Sequence, residues 1–157
     1  MRRLILSTAI LFGLSAAPAL AMEATQTVER EVVTTLPDGT LKTEREPAEL
    51  VKPGDRIVYT LAYVNTLPEA APDVSMAMPI PAEVRLIEGT EIRDGAELAY
   101  SADGGQTFTA RADLSVQTDD GRVRPATADD ITHVRWTLKD PVASGEAGAV
   151  SFKGRLR

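Results

Sequence analysis

There is no cysteine in this sequence, and there is a single histidine, His133. Without thiols there is no disulfide framework, no thiol nucleophile, no iron–sulfur cluster and no cysteine-ligated zinc; with one imidazole, the usual zinc sites and the Ser-His-Asp arrangement lack parts. A long hydrophobic run is also missing. The longest apolar stretch, Leu4 to Leu14, is about half of the roughly 20 residues that a spanning helix needs. Basic residues are outnumbered, 17 against 23 acidic, so the formal charge is −6. A polyanion such as nucleic acid needs a basic face that releases counterions, and the composition gives no sign of one. What remains is a chain of 157 residues, 43% hydrophobic, enough for one ordinary domain with a core.

Residues 1–21 read as a secretory signal peptide. Arg2 and Arg3 form a basic start, Leu4 to Leu14 an apolar centre, and Ala19-Leu20-Ala21 a small-residue cleavage site. Arg2-Arg3 lacks the polar flank of a twin-arginine signal, which favours ordinary secretion, and with no cysteine there is no lipid attachment site. The expected mature chain starts at Met22, with no membrane span, and is periplasmic or extracellular. Cleavage removes two arginines and no acid, so −6 becomes −8.

Glycine and proline recur so evenly that helices of ordinary length have little room, whereas many short strands do. Val150, Phe152, Gly154 and Leu156 alternate with Ser151, Lys153 and Arg155, and Val134, Trp136 and Leu138 with His133, Arg135 and Thr137. That is the period of a strand with one wet face. Arg56 to Asn65 is apolar on both parities and reads as a central strand covered on both sides. Val74, Met76, Met78 and Ile80 share a face of another strand, which Pro79 and Pro81 end or push to an edge. Val84 to Leu86 starts the next strand. Glu97 to Tyr100 and Thr107 to Ala110 read as the arms of a hairpin, and Ala112 to Asp130 as a strand, a turn and a polar loop. Near the start, Val28 to Leu36 and Leu41 to Glu46 flank Pro37-Asp38-Gly39-Thr40, a turn whose proline presets φ. No internal repeat is visible.

The run Val51-Lys52-Pro53-Gly54-Asp55-Arg56-Ile57-Val58-Tyr59-Thr60-Leu61-Ala62-Tyr63-Val64-Asn65-Thr66, then Val74 to Ile80 and Pro81-Ala82-Glu83-Val84, resembles the prokaryotic conserved-repeat domain, the domain of unknown function numbered eleven. Glu88-Gly89-Thr90 and the closing Gly145 to Leu156 fit the same pattern, which spans about residues 48–156. The usual Asn-Thr-Gly is here Asn65-Thr66-Leu67, without the glycine of the tight turn. The resemblance implies an Ig-like β-sandwich of an exported or surface protein, structural or adhesive, with no established catalytic residue. The expected fold is therefore all-β: an antiparallel Ig-like β-sandwich of about seven to nine strands over residues 48–157, preceded by an N-terminal β-hairpin extension over 22–47.

Ser101-Ala102-Asp103-Gly104-Gly105-Gln106-Thr107-Phe108 matches the Asp-box of propeller hairpins, but one box in a chain of this length builds no propeller. It reads as a self-bonded turn in which Ser101 and Asp103 satisfy turn amides and Phe108 packs underneath. Asp103, Asp119, Asp120, Asp129 and Asp130 are weak calcium candidates, since hard cations take several loop oxygens, although EF-hand spacing is absent. A Lys-to-Asn isopeptide bond would draw on Asn65, the only asparagine, with Lys139 or Lys153, though Lys153 falls on the wet parity. His133, opposite in parity to Trp136, should face outward. No catalytic residue, cofactor or metal ligand set is assigned. The expected function is that of an exported, non-enzymatic structural or interaction domain of the cell envelope. Its partner would be another envelope or surface protein, engaged through an exposed strand edge, with Met22 to Leu36 as donor or cover. A small carbohydrate- or calcium-binding module is the alternative, and a small hydrolase the third reading.

Overall fold

The computed structural model describes residues 22–91 and 95–157; the signal segment expected at 1–21 lies outside the described residues. Ten strands follow one another: β1 Glu23–Thr35, β2 Leu41–Pro47, β3 Arg56–Val64, β4 Ser75–Pro79, β5 Val84–Leu86, β6 Ala96–Ser101, β7 Ser115–Gln117, β8 Val123–Pro125, β9 His133–Leu138 and β10 Ala147–Leu156. One short 3₁₀ turn, Arg111–Asp113, is the only helical element among the described residues. All pairings are antiparallel, in a five-stranded sheet of order β2-β1-β3-β10-β5, a three-stranded sheet β4-β9-β6 and a two-stranded ribbon β7-β8. The fold is all-β and antiparallel.

The alternating patterns fix which faces are buried. In β9, Val134, Trp136 and Leu138 are buried while His133, Arg135 and Thr137 are only partly so. In β10, Val150, Phe152 and Gly154 point inward between partly exposed neighbours. Phe152 stacks on Tyr59 of the neighbouring strand, ring centroids 4.8 Å apart and 12° from parallel. Gly154 is required where it stands: a Cβ there would lie 2.1 Å from Val84 Cγ1, so any side chain would push β5 off the sheet. Residues of both larger sheets, among them Ile57, Tyr59, Phe152, Met78, Val134 and Trp136, form one hydrophobic cluster. Each large side chain fully buried there contributes roughly 1.5–3 kcal/mol.

β4 lies at an edge, beside β9, as its prolines require. β3 differs from expectation on its outer face. Val58 is buried, but Ala62 on the same parity is exposed. Lys153 is the register partner of Val58, and its ammonium reaches Glu31 on β1, so the aliphatic stem of the lysine crosses β3 and shields Val58. The second arm expected at Thr107 to Ala110 is not a strand. Thr109 makes a single bridge to Tyr100, and β6 takes its main partner from β9. The reason is local: Asp103 captures the Thr107 amide and hydroxyl, and the chain turns into the 3₁₀ segment after Ala110. The Ala112 to Asp130 region forms the β7-β8 hairpin, one strand more than its sequence suggests.

The N-terminal hairpin closes through Leu36 and Thr40, where the Thr40 amide also donates to Asp38 Oδ1 at 2.9 Å. β1 begins at Glu23, earlier than its alternation suggests, and pairs with β3 along nine residues, Glu23 to Glu31. No residue of β1 or β2 belongs to the core cluster, and β2 is exposed along its whole length. Six of the seven exposed large apolar side chains among the described residues lie between Val28 and Val51, including Val33 at 53%, Leu41 at 66% and Leu50 at 83%. The apolar surface left outside the core is therefore concentrated on the hairpin and the segment after it.

Candidate functional site

The box at residues 101–108 begins at the end of β6, where Ser101 is fully buried. Its hydroxyl donates to Asp103 Oδ1 at 2.6 Å and accepts the Gly105 amide at 2.9 Å. The Asp103 carboxylate also accepts the amides of Gln106 and Thr107, each at 3.0 Å, and the Thr107 hydroxyl at 2.6 Å. These donors, the Ser101 hydroxyl foremost, then Thr107, hold the Asp103 carboxyl well below the usual carboxylate range. Gly104 and Gly105 take φ of +78° and +85°, a region that glycine enters without strain. The Gly104 amide donates to Thr132 Oγ1 at 3.1 Å, tying the turn to the start of β9. The turn is self-satisfied, as its sequence suggests.

Phe108 does not pack beneath the box. It is half-buried on the outward face of the three-stranded sheet, edge-on to His133 at 6.4 Å, with the Arg135 guanidinium 4.4 Å from its ring centre. His133 faces outward, as its parity requires, but its ring lies against Gly105, where a Cβ would come within 3.1 Å of Nε2.

The five aspartates singled out in the sequence are not brought together. Asp130 is clamped by Arg124 at 2.7 and 2.8 Å and accepts the Thr127 amide and hydroxyl at 2.7 Å, which hold its carboxyl well below the usual range, the arginine first. Asp120 takes the Thr118 hydroxyl and the Arg122 amide, which also lower its pKa. Asp129 lies between Arg85 at 3.5 Å and Arg157 at 3.0 Å, and Asp119 is exposed on the β7-β8 turn. Among the described residues no group of three or more His, Asp or Glu is placed to share a metal. Asp38, Glu88, Asp103, Asp120 and Asp130 are each held below the usual carboxylate range by their hydrogen-bond donors, the opposite of the raised pKa that a general acid needs.

Asn65 is fully buried at the end of β3. Its amide nitrogen donates to the Glu69 and Val142 carbonyls at 2.8 and 2.9 Å, and its Oδ1 accepts the Leu67 amide at 3.0 Å. That last bond closes the turn without a left-handed residue, so the Asn65-Thr66-Leu67 turn needs no glycine; Asp73 is the only non-glycine with positive φ among the described residues. Asn65 and Lys153 are each committed elsewhere, Asn65 to backbone groups and Lys153 to Glu31, so the pieces of an isopeptide bond are not assembled. The Asp55 carboxylate accepts the Lys52 amide at 3.0 Å, bracing the Pro53-Gly54 turn from behind.

The depressed Asp103 and Asp130 values set a pH dependence. A carboxyl whose folded pKa lies below the ordinary 3.8 contributes stability that is complete above that value and is lost as pH falls through the folded value. Asp103→Asn is expected to lower the melting temperature at neutral pH and to flatten its fall between about pH 4 and about pH 2. Thermal melts across that range check it; an unchanged acid limb would contradict the role given to Asp103.

What the geometry offers beyond these braces is a polar hollow of about 330 Å³ beside the box, lined by Asp103, Thr107, Asp113, Ser115 and Gln117, and the exposed edge of the hairpin. Comparison with known proteins gives no match: no family model fits the chain, and no curated protein and no solved structure is similar to it. The class defined is an antiparallel all-β protein.

Proposed function

We propose that this chain is an exported, non-enzymatic structural or interaction protein of the cell envelope, working through the β1-β2 hairpin and the unpaired edge of β2. The two larger sheets are read as stacked face to face in an Ig-like β-sandwich over residues 48–157, with the hairpin of 22–47 as its extension. Their shared core cluster supports that reading. Export rests on the basic, apolar and small-residue order of residues 1–21.

The observation that carries the proposal is the hairpin itself. None of its strand residues belongs to the core cluster, yet it leaves one edge of the five-stranded sheet open and carries or adjoins six of the seven exposed large apolar side chains among the described residues. An open edge offers unpaired backbone donors and acceptors to a strand from another protein. Lys42, Glu44, Arg45 and Glu46, paired with one another or with β1, guard that edge against indiscriminate pairing.

The test is recovery of partners by cross-linking a tagged chain in living cells, with an untagged strain as control. One envelope or surface protein is expected to be enriched, and to be lost from the Leu41→Ser/Leu50→Ser variant, whose folding should change by no more than about 1 kcal/mol because both side chains are exposed. Equal recovery from the variant would contradict the assignment to the hairpin. The alternative, a small carbohydrate-binding module, draws on the polar hollow beside Asp103.

A further inference from the structure

The outer face of the five-stranded sheet carries a row of like charges. Ile57, Tyr59 and Phe152 point inward, so Arg56 on β3 and Arg155 on β10 point outward; Arg85 is exposed between the buried Val84 and Leu86 of β5. Arg155 is the register partner of Arg56 on one side and of Arg85 on the other. Directly opposed residues on neighbouring strands have Cβ atoms about 5 Å apart, and like charges so placed destabilise a sheet.

Nearby carboxylates relieve the row only in part. Glu31, the register partner of Arg56 on β1, has a side chain only 4% exposed and gives its ion pair to Lys153. Asp129 is shared by Arg85 and Arg157, and Glu88 is taken by Arg111 at 2.6 Å. Among the described residues neither Arg56 nor Arg155 has an ion-pair partner, whereas Arg30, Arg45, Arg111, Arg122 and Arg124 each have one. In a chain with an excess of acids, three adjacent arginines of which two form no ion pair leave guanidinium donors open to an anion from outside.

We propose that this row is an oxyanion-binding site, in which Arg155 with Arg56 and Arg85 holds a phosphate or sulfate group, free or as an ester. The guanidinium fork matches two oxygens of such a group, and neighbouring forks close on it from adjacent strands. A hollow of about 340 Å³, lined by Arg85, Leu86, Ile87, Glu88, Ala128 and Arg155, adjoins the row and gives room for the organic part of an ester. Nucleobases find no stacking platform there: Tyr59, Tyr63, Trp136 and Phe152 are all in the core.

The experiment measures melting temperature of the full chain in chloride buffer at constant ionic strength, with inorganic phosphate or sulfate added. Arg155→Gln relieves the repulsion, so without oxyanion its melting temperature is expected about 1–3 °C above that of the unaltered protein. Phosphate or sulfate should raise the melting temperature of the unaltered protein and of Arg122→Gln saturably, and leave Arg155→Gln unmoved. Co-sedimentation with phosphatidylglycerol vesicles, lost in Arg155→Gln, assigns the phosphate to a lipid headgroup; the phosphate effect without co-sedimentation assigns it to a soluble ester. An equal response of Arg155→Gln and the unaltered protein, or none in either, overturns the proposal. So does a lower melting temperature for Arg155→Gln in chloride alone, which would make Arg155 a structural residue. The hairpin plays no part in these readouts, so either reading can fail alone.

Discussion

Replacing Phe152 by alanine is expected to cost about 3–5 kcal/mol of folding stability, the usual cost for a large aromatic removed from a rigid core. Phe152 is fully buried on β10, the strand that joins β3 to β5, and it stacks on Tyr59. Part of the loss, about 1 kcal/mol, belongs to the ring pair; the rest is lost transfer energy and a cavity that a sheet cannot collapse around. For a domain stable by about 5–15 kcal/mol this is a large fraction, and a fall of about 10 °C or more in melting temperature should follow. Chemical denaturation reads the same quantity. A loss below about 1 kcal/mol would mean that the two larger sheets do not share a packed core at this point.

Asn65 is the second sensitive position. Asn65→Ala removes two donors and one acceptor from a fully buried position, leaving the buried Val142 carbonyl without its side-chain partner and the Leu67 amide without its turn bond. The expected cost is about 2–4 kcal/mol. Asn65→Asp distinguishes hydrogen bonding from size, because it keeps the volume and turns a donor into a carboxylate oxygen facing two carbonyls. Its carboxyl pKa should rise in the folded state, so the variant's deficit is fully present at neutral pH and shrinks as pH falls and the group takes up its proton. Denaturant titrations at neutral and acidic pH check the sign. A deficit that grows on acidification relative to the unaltered protein would refute the donor role of the Asn65 amide.

Much of the architecture is legible where the information is local. The alternation in β9 and β10 survives intact because each strand has one face in the core, and Pro79 places β4 at an edge by removing a ladder donor. The 101–108 turn is readable because the donors to the Asp103 carboxylate all lie within a few residues of it. What depends on pairing between distant strands is not readable in this way. Nothing in the separate segments around Arg56, Arg85 and Arg155 announces that they form one row, since that follows only from β10 lying between β3 and β5. The cover over Val58 is hidden for the same reason, because it comes from Lys153 and Glu31 on two other strands. Thr107 to Ala110 looks like a strand by composition, and fails as one because the side chain of Asp103 competes for its backbone. The aspartate pairs point to a common cation by type alone, whereas the structure gives Asp120, Asp129 and Asp130 their own arginine partners.

The most direct test of the hairpin as the interaction surface is site-specific photo-cross-linking in living cells, with the reactive side chain placed at Thr43 in the exposed β2 and, as control, at the exposed Gln117 in β7. The expected result is an adduct with one envelope or surface protein from position 43 and none from position 117. No adduct from position 43, or the same adducts from both positions, would contradict the assignment of the β2 edge to partner binding.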